Sequence, residues 1–90
     1  MSIEIELSPI FARYSNNQLN TKVTGSTIGE CLNDLFRQFP GLKKILLTKE
    51  GNLHHIYDVY INGENARPIE MKKPVKDGDK LNIVFIIQGG

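Results

Sequence analysis

The sequence lacks a second cysteine, and Cys31 alone cannot close an internal disulfide, so a hydrophobic core must hold the fold. No uncharged run approaches the roughly 20 apolar residues of a membrane span. The amino-terminal stretch carries Glu4, Glu6 and Arg13 where a secretory signal needs unbroken apolar residues. A cytoplasmic location with no membrane partner is the expectation. Charge of one sign is lacking too: 11 Lys and Arg against 10 Asp and Glu give a formal +1, which is no footprint for nucleic acid. Room is short, since 90 residues make one small domain and exclude a second. What is present, 40% hydrophobic and 23% charged with 8 Gly and 4 Pro, matches a globular chain rather than a disordered one.

The pattern along the chain changes period several times. Ile3, Ile5 and Leu7 alternate with Glu4 and Glu6, as in a strand with one buried face, up to Ser8-Pro9. Leu19, Thr21 and Val23 repeat the alternation, and Asn16-Asn17 between the runs predicts an antiparallel hairpin with a long loop. From Thr27 the spacing becomes helical through Ile28, Cys31, Leu32, Leu35 and Phe39, with Thr27 and Glu30 forming a capping box. Pro40-Gly41 predicts the end of that helix, with glycine supplying a left-handed exit. Leu42, Ile45 and Leu46 suit one short helical turn, and residues 48–52 an exposed loop tip. Ile56 to Ile61 reads as a strand with Tyr57, Val59 and Ile61 facing the core. Asn62-Gly63 turns it into a brief edge strand at Glu64 to Arg67. Asp77-Gly78-Asp79 makes another tight turn into a strand from Leu81 to Ile87, whose second face, Val84 and Ile86, is unusually apolar.

A single main helix must then cover one face of a mixed sheet of four to five strands, with the last strand inside the sheet beside the first. That is an α+β fold of β-grasp type. A split βαβ sandwich is the alternative, and Met71 to Lys76, broken by Pro74, is a poor second helix for it. The domain is expected to span residues 1–86, followed by a flexible tail over 87–90.

Few constellations could carry catalysis. Cys31 with His54 and His55 is the one Cys/His set, but Cys31 lies on the buried helical stripe, where a thiol acts as a small hydrophobe. Adjacent histidines in a strand point to opposite faces and cannot chelate one metal. Glu4 and Glu6 share a strand face that a solvated sheet surface explains equally well. The chain's end remains: an apolar strand runs into Gln88-Gly89-Gly90, and two terminal glycines arise by chance in about one chain in two hundred. Two residues without Cβ make a thin lead able to extend roughly 7 Å into a narrow channel. The main-chain carboxylate of Gly90 would be the reactive group. With a pKa of about 3.5 it is ionised and a poor electrophile, so an ATP-dependent partner must activate it.

The Gly89-Gly90 end, the Asp77-Gly78-Asp79 turn and the Val59-Tyr60-Ile61-Asn62-Gly63 hairpin resemble the ThiS/MoaD family of ubiquitin-like sulfur carriers over essentially the whole chain. The segments Gly51-Asn52-Leu53-His54-His55, Tyr57 to Asn62 and Ala66-Arg67 look most like the CysO type, which serves cysteine biosynthesis. The resemblance implies a protein co-substrate rather than an enzyme, with no bound cofactor or metal; ATP would be used by its activating partner. Gly90 would be adenylated and thiocarboxylated, Gly89 and Gln88 would thread the tail, and Ile87, Ile86, Val84 and Arg67 would dock. Implied partners are a ubiquitin-activating-like adenylyltransferase and a sulfur-accepting, cysteine-synthase-like enzyme, with a metal-dependent peptidase as a further candidate. Alternatives are the small subunit of molybdopterin synthase, a modifier conjugated to lysines, or a plain binding module. Two departures stand out: many members are acidic, whereas this chain is formally +1, and proline is common where this chain has Phe85-Ile86-Ile87-Gln88.

Overall fold

A computed structural model describes residues 2–67 and 70–86. Five strands form one sheet in the order β2-β1-β5-β3-β4, with β1 at Ile3–Leu7, β2 at Asn20–Val23, β3 at Tyr57–Ile61, β4 at Glu64–Asn65 and β5 at Lys80–Phe85. The central pair is parallel, Ile5 opposite Leu81 and Leu7 opposite Ile83, while β2, β3 and β4 pair antiparallel. This is the expected β-grasp sheet with the last strand beside the first. The alternating residues act as read: Ile3, Ile5, Leu7, Val59, Leu81 and Ile83 are buried on one face.

That face is covered by helix α1 (Ile28–Gln38), which buries Ile28, Cys31, Leu32, Leu35 and Phe36. Its capping box is formed, with the Glu30 N–H donating to Thr27 Oγ1 at 3.2 Å. The Glu30 carboxylate in turn accepts from the Ser26 N–H at 2.7 Å. The first bond satisfies an amide that the first helical turn leaves free, and the second ties the residue before the cap to that turn.

Three features depart from the sequence reading. Pro40 ends α1 but also opens a second helix, α2 (Pro40–Leu46), longer than the single turn expected, which buries Leu42 and Leu46. A proline lacks the N–H that the first helical position would leave unpaired, so it starts a helix as readily as it stops one. Gly41 is accordingly not the left-handed exit; the described glycines at positive φ are Gly51, Gly63 and Gly78. The β1–β2 connection holds a 3-10 helix at Pro9–Tyr14, with Phe11 buried, before Asn16 and Asn17 turn the chain at positive φ. Finally, the edge strand is only Glu64–Asn65, although the Ala66 N–H still donates to Val59 O at 2.9 Å.

Candidate docking and acyl-carrier site

The site is built around the end of β5, the strand that leads to the two glycines. Because β1 and β5 are parallel, both finish at the same end of the sheet, where the Ser8 N–H donates to Ile83 O at 3.2 Å. β3 begins there, pairing Tyr57 with Phe85. One further bond, from the Ile86 N–H to Ile56 O at 2.7 Å, holds the backbone of Ile86 to the residue just before β3. Ile87, Gln88, Gly89 and Gly90, the expected docking, threading and acyl-carrying residues, lie outside the described residues, as does the expected tail over 87–90.

The strand register sorts the side chains at this end. Phe85 shares the core-side parity of Leu81 and Ile83 but lies past the helical cover and is 41% exposed. Its ring packs at a tilt against Tyr57, with centroids 6.0 Å apart, and Tyr57 packs likewise against Phe11 at 5.4 Å. Val84 and Ile86 turn to the uncovered face and are half-buried. A shallow groove of about 370 Å³ on that face is lined by Tyr60, Gly63, Asn82 and Val84. Of these only Val84 is an expected docking residue. Tyr60 and Asn82 sit opposite each other across β3 and β5, and the parity that selected Val84 and Ile86 could have found them.

Arg67 is not a free rim charge. Its Nε donates to Asp58 Oδ1 at 2.5 Å and its Nη2 to His55 O at 3.2 Å, while its backbone N–H donates to Asn65 Oδ1 at 2.9 Å. The residue straps the segment after β4 to the start of β3. The hydrogen bond and charge of Asp58 hold the guanidinium pKa above its ordinary value. It borders the uncovered face beside Val84, which lies opposite Asp58.

The Cys/His set does not converge. Cys31 is fully buried in α1, and burial, reinforced by the carboxylates of Asp34 and Glu30, pushes its thiol up to about 11, so the thiolate nucleophile is suppressed. His54 and His55 precede β3 rather than starting it, their ring centroids 6.4 Å apart. Among the described residues no three His, Cys, Asp or Glu side chains gather as a metal site, and no helix is long and apolar enough to cross a membrane. The turn into β5 is strongly fixed. The buried Asp79 carboxylate accepts from Asn62 Nδ2 at 3.0 Å and the Lys76 N–H at 2.9 Å, while the Lys80 N–H donates to Asn62 Oδ1 at 3.0 Å. Those bonds hold the Asp79 pKa below the ordinary carboxylate value, Asn62 first.

The model of the ThiS family matches residues 13–90. No curated protein shows significant sequence similarity to the chain. Among solved structures, a chain in the Amycolatopsis orientalis BexX/CysO complex is 28% identical with a TM-score of 0.88, covering 98% of this chain and 99% of that one. Small archaeal modifier protein 1 from Haloferax volcanii is 25% identical with a TM-score of 0.86, each chain covered in full. In the complex of subunits 1 and 2 of the Helicobacter pylori molybdopterin-converting factor, a chain at 21% identity has a TM-score of 0.63, with both chains fully covered. The match across residues 13–90, on a β-grasp sheet whose central strand leads to Gly89-Gly90, means that the chain belongs to the ThiS family of small ubiquitin-like sulfur carriers and modifiers.

Proposed function

We propose that the chain is a sulfur carrier whose working group is the main-chain carboxylate of Gly90, whether that end is encoded or exposed by cleavage. One observation carries the reading: the family match runs through residue 90, and Gly89-Gly90 follow closely on the last backbone bond of the sheet, Ile86 to Ile56. The protein is a co-substrate that binds no cofactor, and its partners supply the chemistry. An adenylyltransferase would join the Gly90 carboxylate to the α-phosphorus of ATP, releasing pyrophosphate. Sulfide would then attack the acyl carbon, AMP departing with one former carboxylate oxygen, to give the thiocarboxylate; a persulfide sulfur would instead give an acyl disulfide, whose S–S bond a partner's thiol would break to release the thiocarboxylate and leave a disulfide. Gly89 keeps the tail slim enough for a narrow channel, Gln88 threads with it, and Ile87, Ile86 and Val84 give an apolar seat with Arg67 at its border.

The likeness to the BexX/CysO chain at 28% identity supports a cysteine-type route, with a cysteine-synthase-like acceptor and a peptidase that releases the product. Intact-mass measurement after incubation with an activating enzyme, ATP and a sulfur source is expected to show one oxygen exchanged for sulfur, located at Gly90. No exchange with a competent enzyme would overturn the proposal. Removal of Gly90 is expected to abolish the exchange, since the acyl carbon would stop one residue short of the reaction centre.

A second reading, conjugation of Gly90 to lysines of other proteins, is favoured by the 25% identity to small archaeal modifier protein 1. Lys80 is the last basic residue, so tryptic digestion would leave residues 81–90 on a modified lysine. Target peptides carrying that remnant would support modification.

A further inference from the structure

The end of the molecule at which β5 finishes carries a second surface, distinct from the uncovered sheet face. Three large hydrophobic side chains are exposed among the described residues, Ile10, Tyr14 and Phe85, and all three belong to this end. Ile10 adjoins Phe11, whose ring meets Tyr57, and Tyr57 meets Phe85; Tyr14 lies over Gly41 at the start of α2. The charges beside them are biased. The two connections that build this end, residues 8–19 and 39–56, hold four cations, Arg13, Lys43, Lys44 and Lys49, against one carboxylate, Glu50. The rest of the chain holds seven cations against nine carboxylates. The three lysines line one groove of about 480 Å³ on the outer side of α2 and the loop after it, with Glu50 the one carboxylate among its lining residues. That loop is tied to the same end through the His54 N–H donating to Leu46 O at 2.8 Å and the Tyr57 N–H donating to His54 O at 3.0 Å.

We infer that this end is a docking surface for the enzyme that activates Gly90, and that the enzyme presents an apolar seat edged with carboxylates. The inference rests on the carrier reading above and adds to it the polarity of the partner. An exposed apolar centre with a polar border is the usual anatomy of a protein interface, and here the border is predominantly basic. The border sets the encounter rate: a basic edge approaching an acidic one is steered at low ionic strength, and the steering is lost once the screening length falls well below the roughly 10 Å of 0.1 M salt. The near-neutral total charge hides this bias, because nine of the ten carboxylates lie in the rest of the chain.

The test uses the full chain and its activating enzyme, measuring pyrophosphate release with ATP at low and at high salt. The doubly reversed variant Lys43→Glu with Lys44→Glu is compared with wild type and with a control reversal on the other side of α1, Arg37→Glu. Reversal of the two lysines is expected to raise the KM for the carrier about tenfold or more at low salt and to leave kcat unchanged, the difference collapsing at high salt. Circular dichroism of the variant checks that the helices persist. An unchanged KM on reversal, or an equal rise for the Arg37→Glu control, overturns the docking inference. If wild type releases no pyrophosphate at any salt, the carrier reading itself fails, which separates the two. Self-association of wild type in sedimentation, abolished by Phe85→Ser, would also overturn the inference by assigning the surface to a second copy.

Discussion

Gly29 and Gly41 both occupy the second position of a helix, yet substitution by alanine should move stability in opposite directions. At Gly29 a Cβ would stand 2.8 Å from the Met71 carbonyl oxygen, against about 3.3 Å for a comfortable carbon to oxygen contact. That carbonyl sits in the 3-10 turn Glu70–Lys72. It cannot recede freely, because the adjoining backbone is tied to α1 by the Ile28 N–H to Lys73 O at 2.9 Å and the Val75 N–H to Ser26 O at 3.0 Å. Alanine gains at most about 1 kcal/mol of helix propensity over glycine. Overpacking against a fixed backbone costs about 1–3 kcal/mol, and stretching one tether costs about 1 kcal/mol more. The net is a loss of about 1–3 kcal/mol. At Gly41 the nearest atom to a new Cβ is Tyr14 Cδ1 at 3.6 Å, an ordinary contact, so only the propensity gain operates. Thermal melts followed by circular dichroism should place Gly29→Ala about 4–24 °C below wild type and Gly41→Ala at or above it. A Gly29→Ala protein that melts no lower than wild type would refute the close approach of α1 to the Met71 backbone.

Two further outcomes follow from titratable groups. Asp79, with its carboxyl held below the ordinary value chiefly by Asn62, contributes stability that is complete above the unfolded pKa of about 4 and is lost as pH falls through the lower folded value. Asp79→Asn should lower the urea midpoint at neutral pH and flatten its fall under acid; an unchanged acid profile would count against the latch. Cys31, pushed up to about 11 by burial, should resist iodoacetamide at pH 8 in the folded protein and react readily in denaturant. Labelling at equal rates in both states would contradict its place in the core.

The strands were legible because each buries one face. Ile3-Glu4-Ile5-Glu6-Leu7 and Leu81 to Phe85 can satisfy the core in only one register, and Asn62-Gly63 fixes the turn, with Asn62 at φ 49° and Gly63 at φ 87°. The capping box was legible because its two hydrogen bonds are local. Pro40 was half legible: a proline marks a helix boundary but not which side of it the next helix lies on. The 3-10 helix at Pro9–Tyr14 carries no periodic signal, since a single buried residue, Phe11, anchors it through long-range contact with Tyr57. The same distance limit hid Arg67. Its partners Asp58 and His55 O are brought to it by the return of the chain through β4, so a charge that looks solvated in sequence is committed in the fold. The exposed group at the end of β5 was equally hidden, because Ile10, Tyr14 and Phe85 come from distant parts of the chain.

The parallel pairing of β1 with β5 has a consequence for the order of assembly. The sheet's centre joins residues near position 5 to residues near position 81, so its middle cannot close until the last described strand has been synthesised. Chains dominated by such distant pairings fold over about milliseconds to seconds rather than microseconds. A chain broken off before Lys80 therefore lacks both the centre of its sheet and the segment that leads to Gly90. Unfinished chains would stay unfolded and open to proteolysis, and synthesis of β5 becomes the condition for closing the sheet.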